Sequence, residues 1–343
     1  MPAARPGATI LGCRGPRLGR DEAAFFRDAD PFGFILFARN VEDPAQLARL
    51  TADLRAAVDR DAPVLVDQEG GRVQRLRAPH WREWLPPYDH VRRTGPDGLA
   101  RAMWLRGRLI AAELRAVGID ANCAPTLDLA GPTTHPFLKN RCFGEDVATV
   151  VTAGRALADG HLAGGVLPVM KHLPGHGRTV VDSHHHLPRA DAGADDLRAT
   201  DFAPFRALAD LPMGMTAHIV VPAWDAVRPA TASPATIGAI RHEIGFGGLL
   251  ISDDLNMEAL TGTLAERAAR AIAAGCDIAL HCKGDRHEME QVVGAAGPLT
   301  DAAAARAEAA LSRRVAPDPI DEAALLAELD GLLLPQEAPR AHG

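Results

Sequence analysis

Eight short apolar segments recur along the chain, and most are separated by stretches with helical spacing of apolar residues. Apolar runs of this length are typical of strands in a parallel sheet that is covered on both faces. Strands that alternate with helices predict an α/β fold, here a (β/α)₈ barrel. The eight candidate strands are residues 8–12, 33–37, 63–66, 119–125, 166–170, 213–218, 247–251 and 277–281.

A doubly wound sheet is the alternative, but no Gly-x-Gly-x-x-Gly sequence follows any of these strands. Only a short connection is expected between the first two strands, and helices are expected between most of the others. Beyond residue 298 the chain is rich in alanine, and the segment of about 300–337 should be helical and pack outside the barrel. Residues 1–343 are therefore predicted to form one domain. The predicted helices cover residues 44–59, 100–117, 150–162, 202–208 and 264–274.

Composition excludes several classes of protein. The formal net charge is -7 and the arginines are scattered among acidic residues, which argues against a nucleic-acid partner. No apolar run reaches the length of a transmembrane helix, and the N-terminal residues lack the apolar segment of a secretory signal. The five cysteines are odd in number and form no Cys-x-x-Cys pair, so we expect reduced thiols and a cytoplasmic location.

The first polar cluster follows the fifth candidate strand. Lys171 and His172 begin it, His176 lies within a turn rich in glycine and proline, and Asp182 and His184 follow shortly after. Loops that rigid strands hold in place are where binding and catalytic groups concentrate. A metal site is disfavoured because three of the histidines are consecutive and no His-Glu-x-x-His spacing occurs. We expect neither a metal nor an organic cofactor.

Two further clusters follow other strands. Asp253 and Asp254 come directly after the apolar residues 247–251, and Asp254 could cap a helix beginning near Asn256 while Asp253 faces a pocket. The segment 67–75 begins with Asp67 and ends with Arg75, and its carboxylates, amides and arginines suit a ligand with many hydroxyls. Gly70 and Gly71, within that segment, should let the backbone approach the ligand closely.

Four segments in this order resemble glycoside hydrolase family 3. They are Asp67–Arg75, the sequence Asn-Arg-Cys-Phe-Gly at 140–144, Lys171–Gly177 with Asp-Ser-His at 182–184, and Ser-Asp-Asp-Leu at 252–255. The Asp-Ser-His loop is similar to that of the single-domain bacterial β-N-acetylglucosaminidases of the family. The resemblance implies a retaining mechanism in which Asp253 is the nucleophile, and His184, paired with Asp182, is the general acid and base. It also implies substrate-binding roles for Asp67, Arg75, Arg141, Lys171 and His172, with His176 and His218 as further candidates.

The implied reaction is removal of terminal β-linked N-acetylglucosamine (GlcNAc) from muropeptides such as GlcNAc-1,6-anhydro-N-acetylmuramic acid in peptidoglycan recycling. The partner would then be a small carbohydrate or muropeptide, with no nucleic acid or membrane involved, and the chain a monomer or weak homo-oligomer. A phosphorylase or transglycosidase would use the same residues for its first step. A non-catalytic sugar-binding barrel is the third hypothesis, although binding alone does not require Asp182, His184 and Asp253 together.

Overall fold

The computed structural model describes residues 5–132, 134–179 and 187–333. Its main sheet has eight parallel strands, which are β1 (Gly7–Gly12), β2 (Pro31–Leu36), β3 (Val64–Val66), β4 (Ala121–Asn122), β5 (Leu167–Leu173), β6 (Met213–Thr216), β7 (Leu249–Ile251) and β8 (Ala279–His281). They are hydrogen-bonded in the order β7-β6-β5-β4-β3-β2-β1-β8. A parallel bridge between Ile251 and Ile278 joins the two edge strands, so the sheet closes into a barrel and the prediction of a (β/α)₈ fold is confirmed.

The strands are buried on both faces, as their uninterrupted apolar sequences indicate. All residues of β3, β5 and β7 are buried. One face fills the interior of the barrel, and the other packs against the surrounding helices. Polar residues that follow such strands have only the rim of the barrel to occupy, which is where the candidate site forms.

Thirteen α-helices lie in the described part of the chain, and several begin at a side-chain cap. Asp43 accepts a hydrogen bond from the backbone of Gln46 at 2.8 Å, which defines the start of α2. The helices are α1 (Arg20–Ala29), α2 (Pro44–Ala57), α3 (Pro87–Thr94), α4 (Leu99–Ala116), α5 (Pro136–Lys139), α6 (Val147–Ala163), α7 (Ala194–Ala199), α8 (Phe202–Ala207), α9 (Pro234–His242), α10 (Leu264–Ala274), α11 (Arg286–Ala296), α12 (Asp301–Leu311) and α13 (Glu322–Leu332).

The connection between β1 and β2 differs from the prediction, because it contains the ten-residue helix α1. Its apolar face is narrow: Phe25 and Phe26 are buried, while most of its other residues are polar or charged. The helix is only ten residues long, shorter than the window over which a helical repeat of apolar residues can be established from the sequence. Helices α9 and α11 were also missed, whereas the predicted helix 264–274 coincides with α10.

The last two helices pack against the outside of the barrel. Arg306 of α12 forms an ion pair with the buried carboxylate of Asp277, just before β8. Leu329 of α13 is buried, and Glu328 of the same helix pairs with Arg101 of α4. None of the helices in these described ranges is both long and apolar enough to cross a membrane.

Candidate active site

A pocket of about 320 Å³ opens at the carboxyl ends of the barrel strands. This is the end of a (β/α)₈ barrel where enzymes of this fold place their chemistry. The sequence-predicted residues that line it are Asp67, Arg75, Arg141, Lys171, His172, His176 and Asp253. The structure therefore brings together residues from all four segments that resemble glycoside hydrolase family 3, although these segments are far apart in the sequence.

The segment after β3 forms a tight ribbon in which Gln68–Gly70 pairs with Val73–Gln74. Gly70 has a φ of 105°, and a Cβ atom there would collide with the guanidinium of Arg106 and the carbonyl of Leu85. Packing against Arg106 and Leu85 therefore requires glycine at this position, whether or not a ligand also approaches the backbone. Arg106 donates to the backbone carbonyl of Glu69 at 2.6 Å, which fixes this ribbon against the barrel.

Asp67 lies between two cations. Its carboxylate accepts from Lys171 Nζ at 2.9 Å and from Arg75 Nη2 at 3.0 Å. Burial favours the neutral acid, but the charges of Lys171 and Arg75 outweigh it and hold the pKa of Asp67 well below its usual range. Asp67 is therefore an anion with both oxygens already oriented by the protein.

Glu69 is a site residue that the sequence analysis did not select. Its carboxylate receives two hydrogen bonds from Arg141, at 2.9 and 2.7 Å, and lies 2.6 Å from Lys171 Nζ. Burial opposes ionisation, yet Arg141 and Lys171 lower the pKa of Glu69 to about 2. Side chains two residues apart on an extended segment point to the same side. The spacing of Glu69 from Asp67 could therefore have predicted that Glu69 belongs to the site.

His172 is held on both sides of its ring. Its Nδ1 donates to Asp128 Oδ2 at 2.6 Å, and its Nε2 accepts from Arg141 Nη2 at 3.3 Å. Asp128 also accepts from the backbone nitrogen of His176 at 2.7 Å. Burial, offset in part by Asp128, lowers the pKa of His176 to about 4, so that imidazole is neutral at physiological pH.

Asp253 lies two residues beyond β7 and contributes to the pocket lining. Burial favours its neutral form, but the His218 and His172 rings, the backbone N–H of Asp254 and Lys171 together lower the pKa of Asp253. The Asp254 N–H donates to Asp253 Oδ1 at 2.8 Å. Asp253 is thus a carboxylate anion directed at the pocket.

Asp254 does not cap a helix near Asn256, contrary to the expectation from the sequence. Its Oδ1 accepts from the backbone nitrogens of Asn256 and Cys282, at 3.1 and 3.2 Å, within an irregular turn, and α10 begins only at Leu264. Burial raises the pKa of Asp254 to about 6. The two adjacent aspartates therefore have pKa values shifted in opposite directions.

His218 lies beneath the Asp253–Asp254 pair and does not line the pocket. Its Nε2 donates to the backbone carbonyl of Asp254 at 2.9 Å, and its Nδ1 lies 2.8 Å from Thr231 Oγ1. The ring is fully buried, and burial lowers the pKa of His218. This histidine fixes the backbone that carries the aspartates.

Asp182 and His184 lie outside the described residues, as do His185 and His186. Thr179, the last residue described before them, lines the pocket together with His176. Thr179 Oγ1 lies 2.8 Å from His176 Nδ1, so this end of the segment is anchored beside the site.

Two phenylalanines line the outer part of the pocket, and arginines stack on both. The guanidinium of Arg72 lies 3.4 Å from the ring centre of Phe137. Phe37 has Arg39 and Arg75 at 5.0 and 5.1 Å from its ring centre. Aromatic rings of this kind offer apolar contact to a sugar or its leaving group while the arginines keep them in position.

Residues 17–315 match the Glycosyl hydrolase family 3 N terminal domain. The chain is 37% identical over 292 residues to the beta-hexosaminidase of Bordetella pertussis, covering 83% of this chain and 82% of that protein. It is 41% identical over 275 residues to the beta-hexosaminidase of Methylococcus capsulatus, with 78% and 80% covered.

Solved structures agree with the sequence matches. NagZ from Neisseria gonorrhoeae, in complex with N-trifluoroacetyl-D-glucosamine, superposes with a TM-score of 0.85 and 32% identity, over 97% of this chain and 99% of that one. A family 3 β-N-acetylglucosaminidase from Paenibacillus also gives a TM-score of 0.85, with 28% identity over 95% of this chain and 67% of that one.

The barrel, its carboxylate-lined pocket and these likenesses define a glycoside hydrolase of the β-N-acetylhexosaminidase class. The chain belongs to glycoside hydrolase family 3. The family resemblance drawn from the four sequence segments is confirmed.

Proposed function

We propose that this chain is a retaining exo-β-N-acetylglucosaminidase, and that Asp253 forms a covalent glycosyl intermediate. His184, paired with Asp182, acts first as the general acid and then as the general base. The natural substrates are muropeptides that carry a terminal β-linked GlcNAc, such as GlcNAc-1,6-anhydro-N-acetylmuramic acid, handled in the cytoplasm during peptidoglycan recycling.

The observation that carries the proposal is the state of Asp253. A nucleophilic carboxylate must be ionised and must reach the anomeric carbon. Asp253 contributes to the pocket surface and has a lowered pKa, and the N–H of Asp254 holds one of its oxygens. Asp67 lines the same pocket, but Lys171 and Arg75 already engage it, which suits it to binding rather than attack.

The ion-pair network beside Asp253 is suited to holding a sugar ring. Lys171, Arg141, Asp67 and Glu69 alternate in charge, and each is fixed by its neighbours before a ligand enters. Carboxylate oxygens accept from sugar hydroxyls, and the remaining N–H groups of Lys171 donate to sugar oxygens. Such preorganised groups avoid the entropic cost of ordering flexible side chains on binding.

None of the carboxylates that line the described part of the pocket is well suited to act as the general acid and base, which favours a histidine for that role. The described lining includes the carboxylates of Asp67, Asp253 and Asp254, of which only Asp254 has a raised pKa, and its Oδ1 is engaged by two backbone N–H groups. Four residues lie between Thr179 and His184, so the chain spans at most about 18 Å over the five steps that join them. His184 is therefore within reach of the pocket that Thr179 lines.

The reaction has two steps. An oxygen of Asp253 attacks the anomeric carbon as the glycosidic bond breaks, and His184 gives its proton to the departing oxygen. Neutral His184 then removes a proton from water, and the water oxygen displaces Asp253 from the anomeric carbon. Asp182 orients the imidazole and stabilises its protonated form, as the aspartate of a catalytic triad does.

The test combines substrate preference with trapping of the intermediate. Turnover of 4-nitrophenyl β-GlcNAc should exceed that of the β-glucoside, and a slow fluorinated glycosyl substrate should label Asp253 covalently. Asp253→Asn should lower kcat by several powers of ten with a modest change in KM. Preference for the glucoside would refute the substrate, and labelling of Asp254 would refute the nucleophile. Formation of GlcNAc-1-phosphate in phosphate buffer would instead indicate a phosphorylase.

A further inference from the structure

A second cavity, of about 640 Å³, lies beside the candidate active site at the ends of β1, β2 and β8. It is more open than the first and is lined mainly by charged side chains. The lining residues are Arg14, Arg39, Lys283, Gly284, Asp285, Arg286, His287 and Glu290. Four cations against two carboxylates make this a cationic cavity in a chain whose formal net charge is -7.

The two cavities share a wall at Cys282. The backbone nitrogen of Cys282 donates to Asp254 Oδ1, on the side of the candidate active site. Its carbonyl accepts from Arg39 Nη2 at 2.5 Å, on the side of the cationic cavity. A ligand bound at Asp253 that extends past Cys282 and Phe37 therefore reaches Arg39 and Lys283.

Arg39 is a cation that the protein has already positioned. Its Nε donates to the carbonyl of Cys13 at 3.1 Å and its Nη2 to that of Cys282. Across the ranges that the structure covers, no carboxylate lies within 4.0 Å of it, and its Nη1 makes no hydrogen bond. A guanidinium held by two carbonyls keeps its full charge and a free N–H edge for a ligand.

Two of the other cations, Lys283 and Arg14, form only long and exposed ion pairs. Lys283 Nζ lies 3.5 Å from Glu288, and the Lys283 side chain is 60% exposed. Arg14 lies 3.5 Å from Asp21, where both side chains are exposed. Pairs of this length and exposure have little energy to lose when a ligand competes for the cation. Arg286, in contrast, is tied to Glu290 at 2.6 Å.

The backbone that carries these cations is tightly packed beneath the cavity. A Cβ atom on Gly284 would collide with the backbone of Arg14, and one on Gly12 would collide with the carbonyl of Cys282. Asn40 Nδ2 donates to the carbonyls of Cys13 and Gly15 at 3.1 and 2.9 Å. The ends of β1, β2 and β8 therefore form one rigid floor.

We propose that this cationic cavity binds a carboxylate on the leaving group of the substrate, with Arg39 and Lys283 as its main contacts. The proposal rests on the proposed function and narrows it to glycosides with an anionic leaving group. Arg39 and Lys283 do not line the pocket around Asp253, so their attraction favours capture of the anionic substrate and leaves the bond-breaking step unchanged. Anionic and neutral substrates should therefore differ in kcat/KM and share the same kcat.

The experiment compares GlcNAc-β-(1→4)-N-acetylmuramic acid with its methylamide, which lacks only the carboxylate charge. The wild-type enzyme should prefer the acid by about five- to tenfold in kcat/KM at low ionic strength, and less in high salt. In Lys283→Gln the preference should fall while turnover of the amide stays within about twofold, and in the double variant Arg39→Gln/Lys283→Gln the preference should fall to near unity. Arg39→Lys should retain most of the preference, because it keeps the charge.

Arg49→Gln is the control, because Arg49 is an exposed arginine on the outer helix α2 and its replacement removes one positive charge, as each substitution of the double variant does. Equal turnover of acid and amide by the wild-type enzyme would overturn the proposal. So would an equal loss on both substrates in the double variant, or a lost preference in Arg49→Gln. Formation of GlcNAc-1-phosphate that needs Lys283 would assign the cavity to free phosphate instead. If 4-nitrophenyl β-GlcNAc is not hydrolysed at all, the proposed function itself fails.

Discussion

His218 donates a hydrogen bond from Nε2 to the backbone carbonyl of Asp254, 2.9 Å away, although its ring is fully buried and does not line the pocket. The peptide that it fixes follows Asp253, whose Oδ1 accepts from the nitrogen of Asp254. His218 therefore helps to orient Asp253, the proposed nucleophile, without contacting the substrate, because it fixes the main chain of Asp254.

His218→Ala should lower kcat by about 10- to 100-fold with little change in KM, because sub-ångström placement of a reacting group has large effects on rate. His218→Gln can still donate to the Asp254 carbonyl and should recover part of the loss. The measurement is kcat and KM determined separately for 4-nitrophenyl β-GlcNAc. A rise in KM at constant kcat would place His218 in substrate binding and contradict the positioning role.

The barrel could be predicted from the sequence because the strands are short apolar runs, most of which have a polar residue at the carboxyl end. Asp67, Lys171 and Asp253 follow from this pattern, since the ends of parallel strands meet on one rim. The pattern cannot say how those residues pair. Glu69 lies in a predicted site segment, yet its contacts with Arg141 and Lys171 depend on distances between residues far apart in the sequence.

The sequence also could not predict how residues of the same type differ in pKa and in hydrogen-bond partners. Asp253 and Asp254 are identical in type, yet nearby imidazoles, a backbone N–H and Lys171 lower the pKa of Asp253, whereas burial raises the pKa of Asp254. His172 and His218 likewise differ through their partners: one is held by Asp128 and Arg141, and the other holds a carbonyl. Local sequence sets where a side chain lies, but its protonation depends on groups brought near by folding.

Asp254 should make stability depend on pH. Its pKa is raised from 3.8 to about 6 in the folded protein, so the unfolded chain ionises first as pH rises. Its contribution to stability is present below about pH 4 and is lost as pH rises through about 6. In Asp254→Asn this loss is absent. The free energy of unfolding of the variant minus that of the wild type should therefore increase by at most about 3 kcal/mol between pH 4 and pH 7.5. Denaturant titrations at both pH values measure this difference, and a gap that does not change with pH would contradict it.

Glu69→Gln should be strongly destabilising, because it leaves the buried cations Arg141 and Lys171 with one carboxylate fewer. Removing one partner of a buried ion pair typically costs about 3–5 kcal/mol. The pKa of Glu69 is lowered to about 2, so the deficit should be full at pH 7 and shrink as pH falls from about 4.5 towards 2. Thermal and denaturant unfolding across this range measure it. The control is Glu328→Gln, which breaks an exposed pair with Arg101 and should cost under about 1 kcal/mol. Equal losses of stability in the two variants would show that the buried ion pairs contribute no more to stability than an exposed pair does.

His184→Ala separates the proposed acid from its neighbours. Loss of a general acid should greatly slow substrates with poor leaving groups and have little effect on activated aryl glycosides, because a stable phenolate departs without a proton. Asp182→Ala should give a milder form of the same pattern, since it removes orientation but leaves the imidazole. The measurement is kcat/KM over aryl β-GlcNAc substrates of graded leaving-group pKa. His185→Ala and His186→Ala are the matched controls and should show no dependence on the leaving group. If either control shows it instead, the assignment within the loop is wrong. If none of the three histidines does, Asp254, with its pKa of about 6, becomes the next candidate for the acid.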